Sequence, residues 1–272
     1  MDNRKFDTLI VPKKLLIIVE ERGINLRNIQ LIIEYDGSRY AGWQKQAGKE
    51  NLNTIQGKIE EVLTKMEDTP VELIGAVRTE PGIHAYRQVA NFHTNSKKKP
   101  LEIKQYLNRY LPMDIAVLEV LEVPERFHSA FLIQEVVFEY HVVIGEIPSV
   151  FERKYSYYSF KKPDIARMKK AAAYLLGKHD FKGFSDNKRM KKSTVRDLKD
   201  LTIYADEKEI LFTITADDFW PHMARIIVGT LLEIGKGEKE PEVMKQILET
   251  GDRELAGELI DAKGLFLADV NY

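Results

Sequence analysis

The sequence predicts an α+β protein of two similar lobes, each a mostly antiparallel sheet with helices on one face. Runs rich in β-branched residues alternate with helical patterns in both halves of the 272-residue chain, and this alternation is typical of helices laid on a sheet. The stretch 145–160, GEIPSVFERKYSYYSF, interrupts the pattern near the middle. We therefore predict an N-terminal appendage over 1–28, an N-terminal lobe over 29–146 and a C-terminal lobe over 147–272.

The N-terminal lobe begins with an apolar run, IQLIIEY, which ends at the turn signal DGS. The strands predicted on such grounds cover 29–35, 71–77, 88–94, 115–123 and 131–144. Helical spacing of apolar residues predicts helices over 53–66 and 100–111. Asn53 is the expected N-cap of the first helix, and Pro100 favours the start of the second.

The C-terminal lobe repeats this alternation of helices and strands. The spacing of apolar residues predicts helices in 164–179, 219–237 and 241–251. Gly177 is expected to end the first of them, and Gly235 with Gly237 the second. A hairpin with a charged turn is predicted over 201–216, and a last strand over 264–272.

Composition excludes several classes of function. The chain has no cysteine, which excludes disulfides, thiol nucleophiles and thiolate metal sites. Its 41 Lys and Arg against 42 Asp and Glu give a net charge of −1, a balance that neither requires nor excludes a nucleic-acid partner. No run approaches the roughly 18 apolar residues of a membrane span, so we expect a cytoplasmic protein without membrane contact.

An arginine and a carboxylate lie close together in VRTEPGIHAYRQVANFHT, residues 77–94. In an extended segment Arg78 and Glu80 project to the same side, and an arginine beside a carboxylate holds it ionised and oriented for attack or proton transfer. The Pro-Gly turn that follows presents the pair at a strand end. A surface ion pair beside a turn is the alternative on this pattern alone, and His84 either orients a ligand or caps the turn.

The sequence offers no motif for a metal or a nucleotide cofactor. None of the six histidines pairs with another at an H-x-x-x-H spacing. The chain contains neither a Walker loop nor a G-x-G-x-x-G motif. We therefore predict no metal and no cofactor.

Basic residues near aromatic rings are typical of phosphate contacts combined with base stacking. Arg39 and Lys45 flank Trp43 in the loop after the first strand, and Lys188 and Arg189 belong to a second basic cluster. Charge runs are more often solvated faces, so these clusters keep RNA open as a ligand without requiring it.

Several stretches carry a more specific pattern: EYDGSRYAGWQKQ with NTIQGKIEEVL, the motif around Glu80, LNRYLPMDIAV with RFHSAF, LLGKHDFKGF, STVRDL, FWPHMARIIVGTLLEIGKG and DRELAGELIDAKGLFLADVNY. Taken together, and in this order, they resemble the tRNA pseudouridine synthase A family from about residue 30 onward. The resemblance implies a homodimer of two α+β lobes around a basic cleft. It also implies isomerisation of uridine to pseudouridine in the anticodon stem-loop of tRNA, without metal or organic cofactor. The candidates for RNA contact are then Arg39, Lys45, Trp43, His84, Lys188 and Arg189.

The resemblance also implies roles at the catalytic site. Arg78 is implied as the salt-bridge partner of the catalytic carboxylate, and Arg225 as the second active-site arginine. Glu80 stands where the family has aspartate. Phe138 stands where it has a tyrosine that stacks on the target base and handles a proton, and Val136 where a basic residue usually lies.

These departures leave two hypotheses. Aspartate to glutamate keeps the charge but moves the carboxylate outward by roughly 1 Å, and a misplacement of that size costs on the order of a hundredfold in rate. Tyrosine to phenylalanine keeps the stacking face and loses the polar group. In the first hypothesis the protein is an enzyme that uses Glu80 in a rearranged site. In the second it is a catalytically silent paralogue that binds RNA or a protein partner.

Overall fold

The computed structural model describes residues 26–46, 48–49, 52–186 and 193–272. The predicted N-terminal appendage lies outside the described residues except for its last positions, which begin the first strand. Within the described ranges, no helix combines the length and the apolar composition needed to cross a membrane.

The described residues form ten strands and five α-helices. The strands are β1 (Arg27–Tyr35), β2 (Ile74–Gly75), β3 (His84–Thr94), β4 (Ile115–Val123), β5 (Glu135–Ile144), β6 (Tyr157–Ser159), β7 (Gly177–Asp180), β8 (Val195–Ala205), β9 (Glu209–Ala216) and β10 (Leu265–Asn271). The helices are α1 (Ile55–Glu67), α2 (Pro100–Tyr110), α3 (Ile165–Ala172), α4 (Met223–Gly235) and α5 (Val243–Thr250).

All ten strands belong to one mostly antiparallel sheet, in the order β4-β1-β3-β10-β5-β9-β8-β7, with β2 paired to β3 and β6 to β5. Each half uses the same arrangement, because its first strand lies between its middle and last strands. In the N-terminal half β1 is antiparallel to β3 and β4, and in the C-terminal half β5 is antiparallel to β9 and β10. This repeat confirms the predicted α+β fold of two similar halves.

The two halves join where β10 pairs in parallel with β3. The last strand of the chain therefore lies at the centre of the sheet. Strand β5 opens the second repeat in this order, whereas the predicted boundary at 146/147 placed it with the N-terminal lobe. The segment 145–160 marks no break in the sheet, since β6 lies within it and pairs with β5.

Burial along β5 shows which face of the sheet is covered. Alternate residues of this strand are buried, and those between them are half-buried. The buried set comprises Val136, Phe138, Tyr140, Val142 and Ile144. Helix α4 packs against β5, so the side chains of the buried set lie in the core under the helices, as the prediction of helices on one face requires.

The N-cap of helix α1 is Thr54, one residue after the predicted cap. Thr54, in extended conformation, caps this helix by accepting a hydrogen bond from Gly57 N at 3.2 Å. The predicted cap, Asn53, instead donates its side-chain amide to Arg39 O at 3.2 Å. Asn53 thus ties the loop after β1 to the start of the helix.

Two other elements differ in length from their predictions. Strand β2 has two residues of the seven predicted. Helix α3 ends at Ala172 and passes through a 3-10 turn before Gly177 begins strand β7. Gly177, the predicted end of this helix, has φ +93°, a left-handed conformation that ends helical geometry. The α-helix itself already stops at Ala172.

Candidate active site

The turn between β2 and β3 holds Glu80. Its Thr79 is anchored on both sides, since Trp43 N donates to Thr79 O at 3.0 Å and the Tyr35 hydroxyl lies 2.7 Å from Thr79 Oγ1. Ile83 N closes the turn by donating to Glu80 O at 3.2 Å. The glutamate therefore projects from a backbone fixed by its neighbours.

Two glycines let the loop after β1 press against this turn. A Cβ on Gly37 would lie 2.0 Å from Ile83 O, and a Cβ on Gly42 would lie 2.6 Å from Thr79 O. Gly42 also has φ +89°, which disfavours any other residue. The close approach of the two loops fixes the position of Glu80.

The Glu80 carboxylate is bound by the C-terminal half of the chain. Arg225 Nη1 donates to Glu80 Oε2 at 2.9 Å, and His222 N donates to Glu80 Oε1 at 2.6 Å. The side chains of Glu80 and Arg225 are 19% and 13% exposed. Both donors belong to the N-terminal end of α4, where the helix dipole also favours an anion. The site thus holds the carboxylate with two short hydrogen bonds and leaves it partly open to solvent.

Arg225 is itself oriented by the segment that leads into β10. Its Nε donates to Ile260 O at 2.7 Å. That segment lies close against α4, because a Cβ on Gly229 would be 2.1 Å from Glu258 O. One nitrogen of the guanidinium therefore donates to the main chain at Ile260 and another to Glu80. These two bonds fix its orientation.

A second network reaches Glu80 through His222, which precedes α4 with φ +69°. His222 Nδ1 lies 2.9 Å from Asp186 Oδ2, and His222 Nε2 lies 3.6 Å from Glu80 Oε2. Arg253 Nε donates to the other oxygen of Asp186 at 2.7 Å. Burial raises the pKa of Asp186, but hydrogen bonds from His222 and Arg253 outweigh it, so the pKa lies below its usual value. Sequence reasoning missed these three residues, since no motif or periodicity singled them out.

The predicted salt bridge between Arg78 and Glu80 is not formed. Arg78 is exposed and makes no hydrogen bond or ion pair with any other described residue. Neighbours in an extended segment share a side only while the strand continues, and here β2 ends at Gly75. Arg225 takes the place predicted for Arg78 as the partner of the carboxylate.

Phe138 lies in the core beneath the site. It is 5% exposed and meets Phe219 edge to face, with ring centroids 5.0 Å apart. Two residues along the same face, the Tyr140 hydroxyl donates to Asp261 O at 2.7 Å, and burial raises the pKa of Tyr140. Phe219 therefore covers the ring that was predicted to stack on a base.

Trp43 and His84 have structural positions, which corrects their prediction as RNA contacts. Trp43 is fully buried, with its indole packed over Gly75, where a Cβ would lie 2.2 Å from Nε1. His84 is 1% exposed, accepts from Gly37 N at 3.2 Å and stacks on Phe266 at 4.6 Å. Burial lowers the pKa of His84. The second alternative for His84, a residue that holds the turn, matches this geometry.

The remaining basic candidates lie at the surface or outside the description. Arg39 is 74% exposed and bonds to Asp114 through Nε at 3.0 Å. Lys45 is 54% exposed and pairs with Glu60 at 2.7 Å. Lys188 and Arg189 lie outside the described residues. Both Arg39 and Lys45 can still reach an anion, because neither side chain is enclosed.

The described residues contain no group of three or more side chains placed to hold a metal ion. What the site offers instead is a carboxylate held between an arginine and a helix N-terminus, with an imidazole beside it. A carboxylate so held is suited to nucleophilic attack or to proton transfer.

Comparison with known proteins gives this arrangement its context. A family model described as tRNA pseudouridine synthase matches residues 31–131 and 171–272. The chain is 44% identical over 247 residues to the tRNA pseudouridine synthase A of Bacillus sp. (strain KSM-64), which covers 91% of this chain and all of the relative. It is 42% identical, with the same coverage, to tRNA pseudouridine synthase A 2 of Clostridium perfringens and tRNA pseudouridine synthase A of Clostridium kluyveri. The chain belongs to the tRNA pseudouridine synthase family.

Proposed function

We propose that this protein isomerises uridine to pseudouridine in the anticodon stem-loop of tRNA, with Glu80 as the carboxylate that begins the reaction. The observation that carries the proposal is the binding of Glu80 by Arg225 and by the N-terminal end of α4. It occurs in a chain 44% identical over 247 residues to a tRNA pseudouridine synthase A. The stem-loop is the part of tRNA that the sequence resemblance implies.

The glutamate is compatible with this role despite its extra methylene. Both carboxylate oxygens have partners, at 2.6 and 2.9 Å, from the opposite half of the chain. A carboxylate displaced by roughly 1 Å from its functional place is expected to lose such contacts or lengthen them. The two short bonds support a site that accommodates glutamate.

The reaction needs a carboxylate, a route for a proton and access to one base. The base leaves the RNA stack to reach the site. Glu80 attacks the base or the sugar, the bond between uracil N1 and the ribose carbon breaks, and uracil rotates. The bond formed to Glu80 breaks again, and the ribose carbon bonds to uracil C5. The hydrogen on C5 then leaves as a proton and the freed N1 takes up a proton, so the product is an isomer of the substrate. No oxidation occurs and no atom is gained, so the step consumes no cofactor.

Surface cations provide the RNA contacts in this proposal. Arg78 is exposed and unpaired among the described residues, so its guanidinium is open to a phosphate beside Glu80. Arg39 and Lys45 lie on the adjoining loop, and Lys188 and Arg189 complete the predicted set. A homodimer, implied by the resemblance, remains part of the proposal and is checked by the mass of the protein in solution.

One observation favours the second candidate function, a silent RNA-binding paralogue. Phe138 has no hydroxyl and is covered by Phe219, so a target base stacks on it only if Phe219 moves. An enzyme then depends on that movement, whereas a binding protein does not. The enzyme hypothesis therefore requires Phe219 to move and uridine to react, whereas the binding hypothesis requires neither.

The test is single-turnover release of tritium from tRNA labelled at uridine C5, with excess protein. We expect release by the wild type and none by Glu80→Ala, while Glu72→Ala, an exposed glutamate nearby, behaves as wild type. Silence of the wild type with intact tRNA binding would instead establish the binding paralogue. In that case Glu80→Asp would show whether the methylene or the Phe138 position is responsible.

A further inference from the structure

The imidazole of His222 is placed between two carboxylates that come from different elements. Asp186, from the segment before β8, lies 2.9 Å from Nδ1, and Glu80, from the β2–β3 turn, lies 3.6 Å from Nε2. The His222 side chain is 34% exposed, so its ring is open to solvent. Such a ring can exchange a proton with a bound molecule and then with water.

Asp186 gives the imidazole a defined orientation. With Nδ1–H donated to Asp186, the lone pair of the neutral ring is at Nε2, which faces the Glu80 carboxylate. Asp186 is in turn held by Arg253, which also donates to Gly257 O at 2.9 Å. An aspartate that fixes the tautomer of a histidine is the arrangement that prepares a general base.

We propose that His222 is the base that removes the proton from uracil C5 in the last chemical step. This inference rests on the proposed function, since it assigns a residue to one step of that reaction. After the ribose carbon has bonded to C5 and the bond to Glu80 has broken, the C5–H bond breaks and its electron pair forms the C5–C6 double bond. The pair released at N1 takes up a proton from water. The proton passes to His222 Nε2, and the resulting imidazolium is stabilised by Asp186 and Glu80.

Position supports this step. A base that has just rearranged at Glu80 has its C5 bonded to the reacting ribose carbon, so C5 lies next to the carboxylate. His222 Nε2 lies 3.6 Å from Glu80 Oε2, so a uracil C5 beside this carboxylate is also beside Nε2. Arg225, the charged residue in the first turn of the same helix, is a permanent cation that binds Glu80 and accepts no proton.

The other described groups near Glu80 are poor acceptors. Phe138 has no polar atom, and the Tyr140 hydroxyl is committed to Asp261 O in the core, where burial raises its pKa. His222 is the imidazole at this carboxylate among the described residues, and imidazole changes its charge between pH 5 and 8. It therefore supplies the proton acceptor that the Phe138 position lacks.

The test separates proton removal from all earlier steps. The variant is His222→Asn, because asparagine tolerates the left-handed backbone at φ +69° and keeps the main-chain donor to Glu80. Two tRNAs are used, one with tritium and one with fluorine at C5 of the target uridine. Fluorine cannot leave as a cation, so the fluorinated base rearranges but stops before the last step, and mass spectrometry of the nuclease digest counts the rearranged nucleoside.

We expect His222→Asn to slow tritium release by about a hundredfold or more and to rearrange the fluorinated base within threefold of the wild-type rate. His179→Asn, at a half-buried histidine of the edge strand β7, is the control and should match the wild type.

Each other outcome overturns the proposal in a distinguishable way. Equal slowing of both reactions would make His222 a residue that only positions Glu80. Unchanged release by His222→Asn would leave Glu80 itself as the proton acceptor. A wild type that neither releases tritium nor rearranges the fluorinated base would refute the proposed function together with this inference.

Discussion

Arg78 and Arg225 occupy contrasting places around Glu80. Arg78 is two residues away in the chain, on the β2–β3 turn, and is exposed without a partner among the described residues. Arg225 is 145 residues away, in the first turn of α4, and its side chain is 13% exposed and bonded to Glu80 at 2.9 Å. Arg78, although close to Glu80 in sequence, forms no ion pair with it. Arg225 forms a short one because the shared sheet brings the two halves of the chain together.

The contrast suggests a division of labour between the two regions. The C-terminal half supplies the cation and the helix N-terminus that hold the carboxylate, because both groups are fixed by packing on the segment before β10. The N-terminal turn supplies the carboxylate and an exposed arginine, Arg78, that has no partner among the described residues. Glu80 therefore links the two halves of the chain. Replacing Arg225 should lower the reaction rate and the stability, whereas replacing Arg78 should weaken RNA binding.

Replacing Arg225 should have the largest effect. Arg225→Met leaves Glu80 part-buried without its cation, and we expect the single-turnover rate of tritium release to fall about a thousandfold, the scale of losing an electrostatic stabiliser. Unfolding in urea should show a loss of about 2 kcal/mol, the scale of a hydrogen bond to a charged group. A rate within threefold of the wild type would contradict the role given to this arginine.

A substitution that strains the backbone of the N-terminal half should have the second-largest effect. Gly42→Ala puts a Cβ 2.6 Å from Thr79 O at a residue with φ +89°, and we expect about 3 kcal/mol less stability from strain and overlap together. Urea unfolding measures it, with Gly237→Ala as control, since that glycine has a similar φ of +80° and no described neighbour within 4 Å of where its Cβ would lie. Equal losses in the two variants would show that φ alone matters and that the close contact does not.

The contribution of Asp186 to the free energy of unfolding should depend on pH. Its folded pKa is depressed, so its bonds to His222 and Arg253 contribute stability above the ordinary aspartate pKa of about 4 and lose it as pH falls through the folded value. We expect Asp186→Asn to be less stable than wild type at pH 7, with the gap closing towards pH 3. The gap is measured by urea unfolding at each pH. A gap that widens in acid would reverse the assigned sign.

Arg78 should give the smallest effect on the fold and a specific effect on RNA. Arg78→Met is expected to change stability by less than about 0.5 kcal/mol, as for other surface substitutions. The slope of log affinity for tRNA against log salt should fall by about 1, the loss of one phosphate contact. Filter binding across a salt series measures it, and an unchanged slope would exclude a phosphate contact.

Local patterns predicted the parts of the site that depend on neighbouring residues. The Pro-Gly pair after Glu80 indicated a turn at a strand end, and the turn lies between β2 and β3. Apolar spacing placed the helix that carries Arg225, which the observed α4 confirms. The resemblance to a family then supplied the candidate role of this arginine, because no local pattern connects α4 with the turn.

Features that depend on distant pairing escaped sequence reasoning. Asp186 follows a 3-10 turn without periodicity, so only the fold brings it to His222. Trp43 lies in a loop rich in Gly, Gln and Lys that reads as exposed, yet the absent side chain of Gly75 leaves room to bury its ring. The central place of β10 is set by its pairing with β3 and β5, which its own sequence does not specify.

The most direct test of the link across the halves is a double-mutant cycle on urea unfolding. Glu80→Gln is combined with Arg225→Met in one cycle and with Arg78→Met in a second. We expect a coupling of about 1–3 kcal/mol in the first and less than about 0.5 kcal/mol in the second. Equal couplings, or a larger one for Arg78, would contradict the claim that Arg225 holds the carboxylate.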